Sequence, residues 1–163
     1  MVVKVFIVMG VTCSGKSSLG RALAERAHYP FFDGDDYHPV PNIAKMSKGI
    51  PLTDDDRLPW LNTINQLVIS HLGTGAVIAC SALKSYYRQI ISSPNELEFI
   101  YLKSSKELIV ERMALRKAHF MSSNLIDSQF HELEEPKAGA LILDASQSIA
   151  TLLDKISHYY AIT

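Results

Sequence analysis

Residues 3–9, Val-Lys-Val-Phe-Ile-Val-Met, form an almost unbroken apolar run rich in β-branched side chains. Such a run predicts a strand buried on both faces, as in a parallel sheet. The period then changes. Over residues 16–27, Leu19, Leu23 and Ala27 recur at helical spacing while Arg21, Glu25 and Arg26 fall on other faces, so the opening unit reads strand, loop, helix. A second short strand ends near Phe31-Phe32. From Asp33 to Pro59 the chain is polar, and prolines at 39, 41, 51 and 59 break any long regular element. A stretch of that kind inside a compact domain points to function. Thr53 ahead of Asp54, Asp55 and Asp56 predicts a capped helix N-terminus, with the helix running to about His71 and tolerating Pro59 early. Beyond it the pattern predicts a strand over 76–80, a short helix over 85–91, a strand over 98–102 and an amphipathic helix over 106–116. Residues 117–137 read as polar and mixed; a last strand over 141–143 and a closing helix over 149–160 follow. Five short strands alternating with helices predict an α/β fold with a parallel sheet.

Composition narrows the class without naming a function. The 163 residues fit one domain, 1–163, and 47% apolar content excludes a disordered chain. Sixteen Lys and Arg against seventeen Asp and Glu give a net charge of -1, which argues against a nucleic-acid binder that works by bulk positive charge. Two cysteines, Cys13 and Cys80, are too few for a disulfide scaffold and lack zinc-type spacing. The apolar run near the N-terminus falls short of the ~20 residues that span a bilayer and leads into Gly15-Lys16-Ser17 rather than a cleavage site. A cytoplasmic protein without membrane or nucleic-acid partners is the expectation.

The chemistry starts at Gly10-Val11-Thr12-Cys13-Ser14-Gly15-Lys16-Ser17, two glycines five apart followed by Lys and Ser. This is the phosphate-loop pattern, and it stands where a true one must, after a strand and at the start of a helix. Its glycines permit backbone conformations that turn N–H groups inward at the positive end of a helix dipole. Lys16 can reach the β- and γ-phosphates, and Ser17 can place its hydroxyl on Mg²⁺. Residues 10–17 together with Ser18 are therefore the expected nucleotide site, for ATP or GTP. A Gly-rich connecting turn is the bland alternative, and the strand–loop–helix context disfavours it.

A phosphate loop alone does not choose among a GTPase switch, a motor and a small-molecule kinase. The segment Phe32-Asp33-Gly34-Asp35-Asp36-Tyr37-His38-Pro39 follows the second strand, so its carboxylates belong at the carboxyl edge of the sheet, where open α/β folds bind ligands. Asp33 and Asp35 are two apart and can both face the loop. One can serve Mg²⁺ and the other accept a proton from a substrate hydroxyl. The working assignment gives Asp33 to the metal and Asp35 to the hydroxyl.

Longer stretches carry a resemblance. They are Asp33-Gly34-Asp35-Asp36 with His38-Pro39, Asn42-Ile43-Ala44-Lys45-Met46, and the block from Gly49 through Thr53-Asp54-Asp55-Asp56-Arg57 to Pro59-Trp60-Leu61. Cys80-Ser81-Ala82-Leu83-Lys84, Tyr87-Arg88, Phe99-Ile100-Tyr101-Leu102-Lys103, Arg116-Lys117, His119-Phe120-Met121, Gln129-Phe130 and Leu133-Glu134-Glu135-Pro136 continue it in order. The sequence resembles gluconate kinases of the phosphate-loop superfamily, relatives of shikimate kinase. The resemblance implies a three-layer phosphate-loop fold with strand order 2-3-1-4-5, a substrate-binding insertion at about 36–72 and a small helical lid at about 116–131. It also implies ATP- and Mg²⁺-dependent phosphorylation of D-gluconate at its terminal hydroxyl, and a homodimer. On the same basis Arg112 and Arg116 serve the phosphoryl group from the lid, and Gln147, in the loop after the last strand, lies near the adenine.

A sugar-acid carboxylate needs cations. Lys84 and Arg88 lie four apart on a predicted short helix, where like charges repel and a bound anion would relieve them. Ordinary exposed helix cations are the alternative. Arg57 offers a guanidinium fork for a carboxylate or hydroxyls. His38 is a candidate for substrate hydroxyls, and Trp60 reads as a core anchor rather than a stacking platform. The neutral balance thus conceals an expected cationic pocket of Lys16, Arg57, Lys84, Arg88, Arg112 and Arg116 opposite Asp33 and Asp35. Cys13 within the loop and Cys80 beside it suggest sensitivity to thiol oxidation.

Overall fold

The computed structural model describes residues 2–95, 97–116 and 123–163. Its elements in chain order are β1 (Val5–Met9), α1 (Lys16–Ala27), β2 (Phe31–Asp33), a 3₁₀ turn (Gly34–Tyr37), α2 (Val40–Ser47), α3 (Asp54–Ser70), β3 (Ala76–Ala79) and α4 (Ser85–Ser92). They continue with β4 (Glu98–Lys103), α5 (Lys106–Leu115), α6 (Ser123–Glu132), β5 (Ala140–Asp144) and α7 (Ile149–Tyr160). The five strands form one parallel sheet in the order β2-β3-β1-β4-β5. Ile7 pairs with Ile78 on one side and Phe99 on the other.

The apolar run of β1 is explained by what covers its two faces. Phe6 and Val8 meet α1 and α7 through Leu19, Leu23, Leu152 and Ile156. Val5, Ile7 and Met9 point the opposite way, toward Trp60, Leu61 and Ile64 of α3 and Tyr87 of α4. A strand buried on both faces needs apolar side chains at odd and even positions alike. At the carboxyl edge a smaller cluster joins Val11 and Cys13 of the loop to Ile109 of α5 and Ile126 of α6. That cluster seats the lid-side helices on the loop. Among the described residues no helix is long and apolar enough to cross a membrane.

Two helices depart from the sequence expectation. Residues 40–47, within the proline-broken stretch, form α2. Proline at the start of a helix costs no intrahelical hydrogen bond, so Pro41 in the first turn permits the helix instead of breaking it. Residues 123–132, read as mixed, form α6, with Leu125 and Ile126 buried. Its inward face is too narrow to show a helical period, and docking on the loop cluster supplies what the pattern lacks. Part of the expected lid, residues 117–122 including His119, Phe120 and Met121, lies outside the described residues. The Thr53 cap is a full capping box: Thr53 Oγ1 accepts from Asp56 N at 3.1 Å and Asp56 Oδ2 accepts from Thr53 N at 2.9 Å.

Candidate active site

The loop between β1 and α1 is built as an anion cradle. Gly10 and Gly15 take φ values of +149° and +100°, and Cys13 sits at +58°. Such left-handed turns direct successive N–H groups to one side. Gly15 caps α1 without a side-chain hydrogen bond, and the first turn carries no acidic residue. The helix N-terminus is thus left for an external anion. Ser14 Oγ is buried without a hydrogen-bond partner among the described residues. Lys16 folds over the loop, with Nζ donating to Val11 O at 2.8 Å. Burial pushes its pKa down from the ordinary lysine range, and Asp35 leads the anionic groups that oppose the shift. These features fit the phosphates of a nucleotide.

The acidic turn lies directly opposite. A Cβ on Gly34 would come within 2.5 Å of Ala79 O, so only glycine lets the end of β2 pass this close to β3. Trp60 Nε1 donates to Gly34 O at 2.8 Å and fixes the turn from below. Asp33 Oδ2 accepts from Ser17 Oγ at 2.9 Å and Oδ1 from Asp35 N at 3.1 Å. A hydroxyl and a carboxylate so paired suit Mg²⁺, which takes few protein ligands and keeps its waters and phosphate oxygens. Among the described residues no cluster of three or more His, Cys, Asp or Glu offers a dedicated metal cage.

Asp35 lines a pocket that it shares with Thr12 and Lys16 of the loop. Its surface is solvent-accessible, yet the crowded site raises its pKa, chiefly by desolvation, with Asp33 and Asp36 adding and Lys16 opposing. A carboxylate so tuned is a better proton acceptor than an ordinary surface aspartate.

Lys16 and Asp35 line one pocket of about 170 Å³ with His38, Arg57, Trp60 and Gln129. It is smaller than the ~300 Å³ at which drug-sized sites begin, so it suits a compact polar molecule. His38 stacks on Trp60 at 4.1 Å between ring centroids with 17° between planes. Trp60 is both the buried anchor expected and a stacking platform for a neighbouring side chain. Asn42 Nδ2 donates to His38 Nδ1 at 3.3 Å and to Asp56 O at 2.9 Å. Nδ1 is therefore an acceptor, and the ring proton sits on Nε2. Desolvation, helped by Arg57, pulls the His38 pKa down to about 4, so the ring stays neutral at physiological pH.

The expected cations divide. Arg57 is 8% exposed, and its Nη1 donates to Tyr87 Oη at 2.9 Å and pairs with Glu132 Oε2 at 2.9 Å. Lys84 and Arg88 are not brought to the pocket. Lys84 caps α4 rather than lying within it and donates to Asp54 Oδ1 at 2.8 Å, an atom that also accepts from Tyr87 Oη. Arg88 donates to the carbonyls of Ala82, Leu83 and Glu134, so neutral backbone oxygens, not an anion, satisfy its charge. Arg112 braces the loop from beneath, with Nη1 on the carbonyls of Cys13 and Ser14 at 3.1 and 3.0 Å and Nη2 on Ala145 O at 2.6 Å. Arg116 is exposed at the end of α5. Gln147 is half-buried in the loop after β5 and accepts from Lys155 Nζ at 2.9 Å.

Asn42, bonded to His38 of the pocket, and Gln129, which lines it, had no role assigned from sequence. Asn42 sets the His38 tautomer, and Gln129 of α6 accepts from Thr12 N at 2.7 Å. Gln129-Phe130 was visible as a motif, but nothing in the pattern tells which loop atom it meets. The thiols differ from the oxidation-prone expectation. Both are buried; Cys13 Sγ lies 3.0 Å from Met113 Sδ, and burial pushes Cys80 up to about 12. A thiol held in that form is a poor nucleophile.

Comparisons with known proteins converge on one group. The family model described as shikimate kinase matches residues 12–151. A probable gluconokinase of Dictyostelium discoideum is 42% identical over 170 residues, covering 95% of this chain and 85% of that protein. The thermoresistant gluconokinase of Escherichia coli (strain K12) is 41% identical, covering 89% and 86%. The crystal structure of a gluconokinase from Sinorhizobium meliloti 1021 superposes with a TM-score of 0.86 at 41% identity, over 98% of this chain and 97% of that one.

Proposed function

The chain belongs to the gluconokinase family within the shikimate-kinase group, and from that premise we propose that it transfers the γ-phosphoryl group of ATP to the 6-hydroxyl of D-gluconate. The products are 6-phospho-D-gluconate and ADP. The observation that carries the reading is that Lys16 of the phosphate loop and Asp35 of the acidic turn line one small pocket. An acceptor hydroxyl held there meets a phosphate-binding lysine on one side and a proton acceptor on the other.

Phosphoryl transfer is chiefly positioning and electrostatics, so each residue's task follows from its place. The loop N–H groups and Lys16 hold the phosphates and neutralise charge spreading over the transferred group. Ser17 and Asp33 would hold Mg²⁺, which when bound supplies further neutralisation of the phosphate oxygens. Asp35 accepts the proton as the hydroxyl oxygen attacks phosphorus. Arg57, anchored by Tyr87 and Glu132, offers a fixed cation to the gluconate carboxylate. His38, neutral with Nε2–H available, donates to a gluconate hydroxyl. Arg112 holds the loop in shape, and Arg116, where the lid of about 116–131 begins, serves the transferred group on the family resemblance, with the insertion at about 36–72 on the substrate side. The loop carrying Gln147 borders the adenine. Arg57 suits the carboxylate better than Lys84 and Arg88 because it lines the pocket and they do not.

We place this activity in the cytoplasm, in a homodimer, on the family resemblance. The edge strand β5, with Ile142 51% exposed, supports that reading as a place where two copies could meet. Lys16→Ala tests the reading: gluconate-dependent ADP formation should collapse while the fold survives.

A further inference from the structure

Gln129 makes a contact that the function above does not use. It stands on α6, and its Oε1 accepts from the backbone N–H of Thr12, 117 residues earlier in the chain, at 2.7 Å. Thr12 and Gln129 both line the pocket that holds Lys16 and Asp35. The helix is held in place at several points. Leu125 and Ile126 are buried, Ile126 in the cluster with Val11 and Cys13; Glu132 pairs with Arg57, and Asn124 Nδ2 donates to Gly49 O at 3.2 Å. Gln129 is therefore presented from a fixed helix, its carboxamide oxygen committed to the loop.

A carboxamide has two ends with opposite roles. With Oε1 held by Thr12 N–H, the Nε2 group is left as a pair of donors on a side chain that lines the small pocket. We propose that Gln129 Nε2–H donates to the oxygen of the acceptor hydroxyl and, together with Asp35, selects the gluconate hydroxyl over water as the nucleophile. The inference rests on the proposed kinase activity. Its electron arithmetic is simple. Asp35 takes the hydroxyl proton, Nε2–H occupies one oxygen lone pair, and the remaining lone pair attacks phosphorus as the bond to the ADP oxygen breaks. Water in the same place would give ADP and inorganic phosphate. A glutamine orienting the nucleophile is an established device in phosphoryl transfer.

The experiment compares wild type, Gln129→Ala and Gln129→Glu in the full chain, with ATP, Mg²⁺ and saturating gluconate, measuring ADP, inorganic phosphate and phosphogluconate together. Glutamate keeps an acceptor for Thr12 N–H but removes the donor. Wild type should form one phosphogluconate per ADP. Both variants should lose about 10–100-fold in phosphogluconate formation and release inorganic phosphate as a substantial share of turnover, while ATP affinity of Gln129→Ala stays within about threefold. Gln129→Glu matching wild type in rate and ratio would overturn the inference, since only the Thr12 contact would then matter. So would equal losses of ADP and product with the ratio still at one, the signature of a merely structural residue. A wild-type chain that forms no phosphogluconate would instead overturn the kinase reading on which the inference stands.

Discussion

The two halves of the site are built in opposite ways. The phosphate side is written in consecutive residues, Gly10 to Ser17, between a strand and the helix whose N-terminus completes it. The acceptor side is gathered from Asp35 in the turn after β2, His38 ahead of α2, Arg57 and Trp60 on α3, and Gln129 on α6. The first half presents its anion-binding groups from one contiguous segment, which Arg112 braces from α5. The second exists only when α2, α3 and α6 are packed. A contiguous cradle suits a ligand shared by many enzymes, whereas a pocket assembled from distant segments can be reshaped one side chain at a time.

The largest effect should come from the contiguous half. Lys16→Ala should cut turnover by about 10³-fold or more, with circular dichroism unchanged and melting within a few degrees of wild type. Turnover near wild type would sever the loop from the chemistry.

Asp35→Asn comes next, at about 10²–10⁴-fold in kcat. Because desolvation raises the Asp35 pKa, wild-type kcat/KM should fall as pH drops through a value above the ordinary carboxylate range, and the Asn variant should lose that limb. The stability effect has the opposite sign. A carboxyl whose pKa is raised by folding favours the fold below its unfolded pKa, and that contribution is lost as pH rises through the folded value. Asp35→Asn should therefore melt at or above wild type near neutral pH.

His38→Phe, which keeps a ring on Trp60 but has no donor, should raise the KM for gluconate by about tenfold with a smaller change in kcat, as expected for a lost hydrogen-bond donor. His38 is depressed to about 4, so its contribution to stability is present above the ordinary histidine pKa and is lost as pH falls toward 4. The variant should flatten that acid limb in melting curves.

The smallest effects separate site from scaffold. Arg88→Ala should cost about 1–3 kcal/mol of stability, because three carbonyls lose their charged donor, while KM stays within about threefold. Lys84→Met, which breaks a surface pair with Asp54, should cost under about 1 kcal/mol. A large KM change in either would return that residue to the carboxylate site.

The same division explains what was legible in the sequence. The strand pattern, α1, the capped α3 and the loop followed from short-range rules, and the sheet order agrees with the family resemblance. Helix α2 was hidden because prolines that break a helix interior are harmless in its first turn. The partners of Arg88 were not legible, because a sequence does not show which carbonyls a guanidinium will reach. Asn42 and Gln129 were hidden for a related reason: an amide earns its role from the atom it faces, and those atoms belong to other elements.

The most direct test of the account is gluconate-dependent ADP release by the full chain with ATP and Mg²⁺, run beside shikimate and other sugar acids, with the product identified by phosphorus and carbon NMR. ADP formation should require gluconate and yield an equal amount of the 6-phosphate. ADP formation indifferent to gluconate, or faster with shikimate, would contradict it.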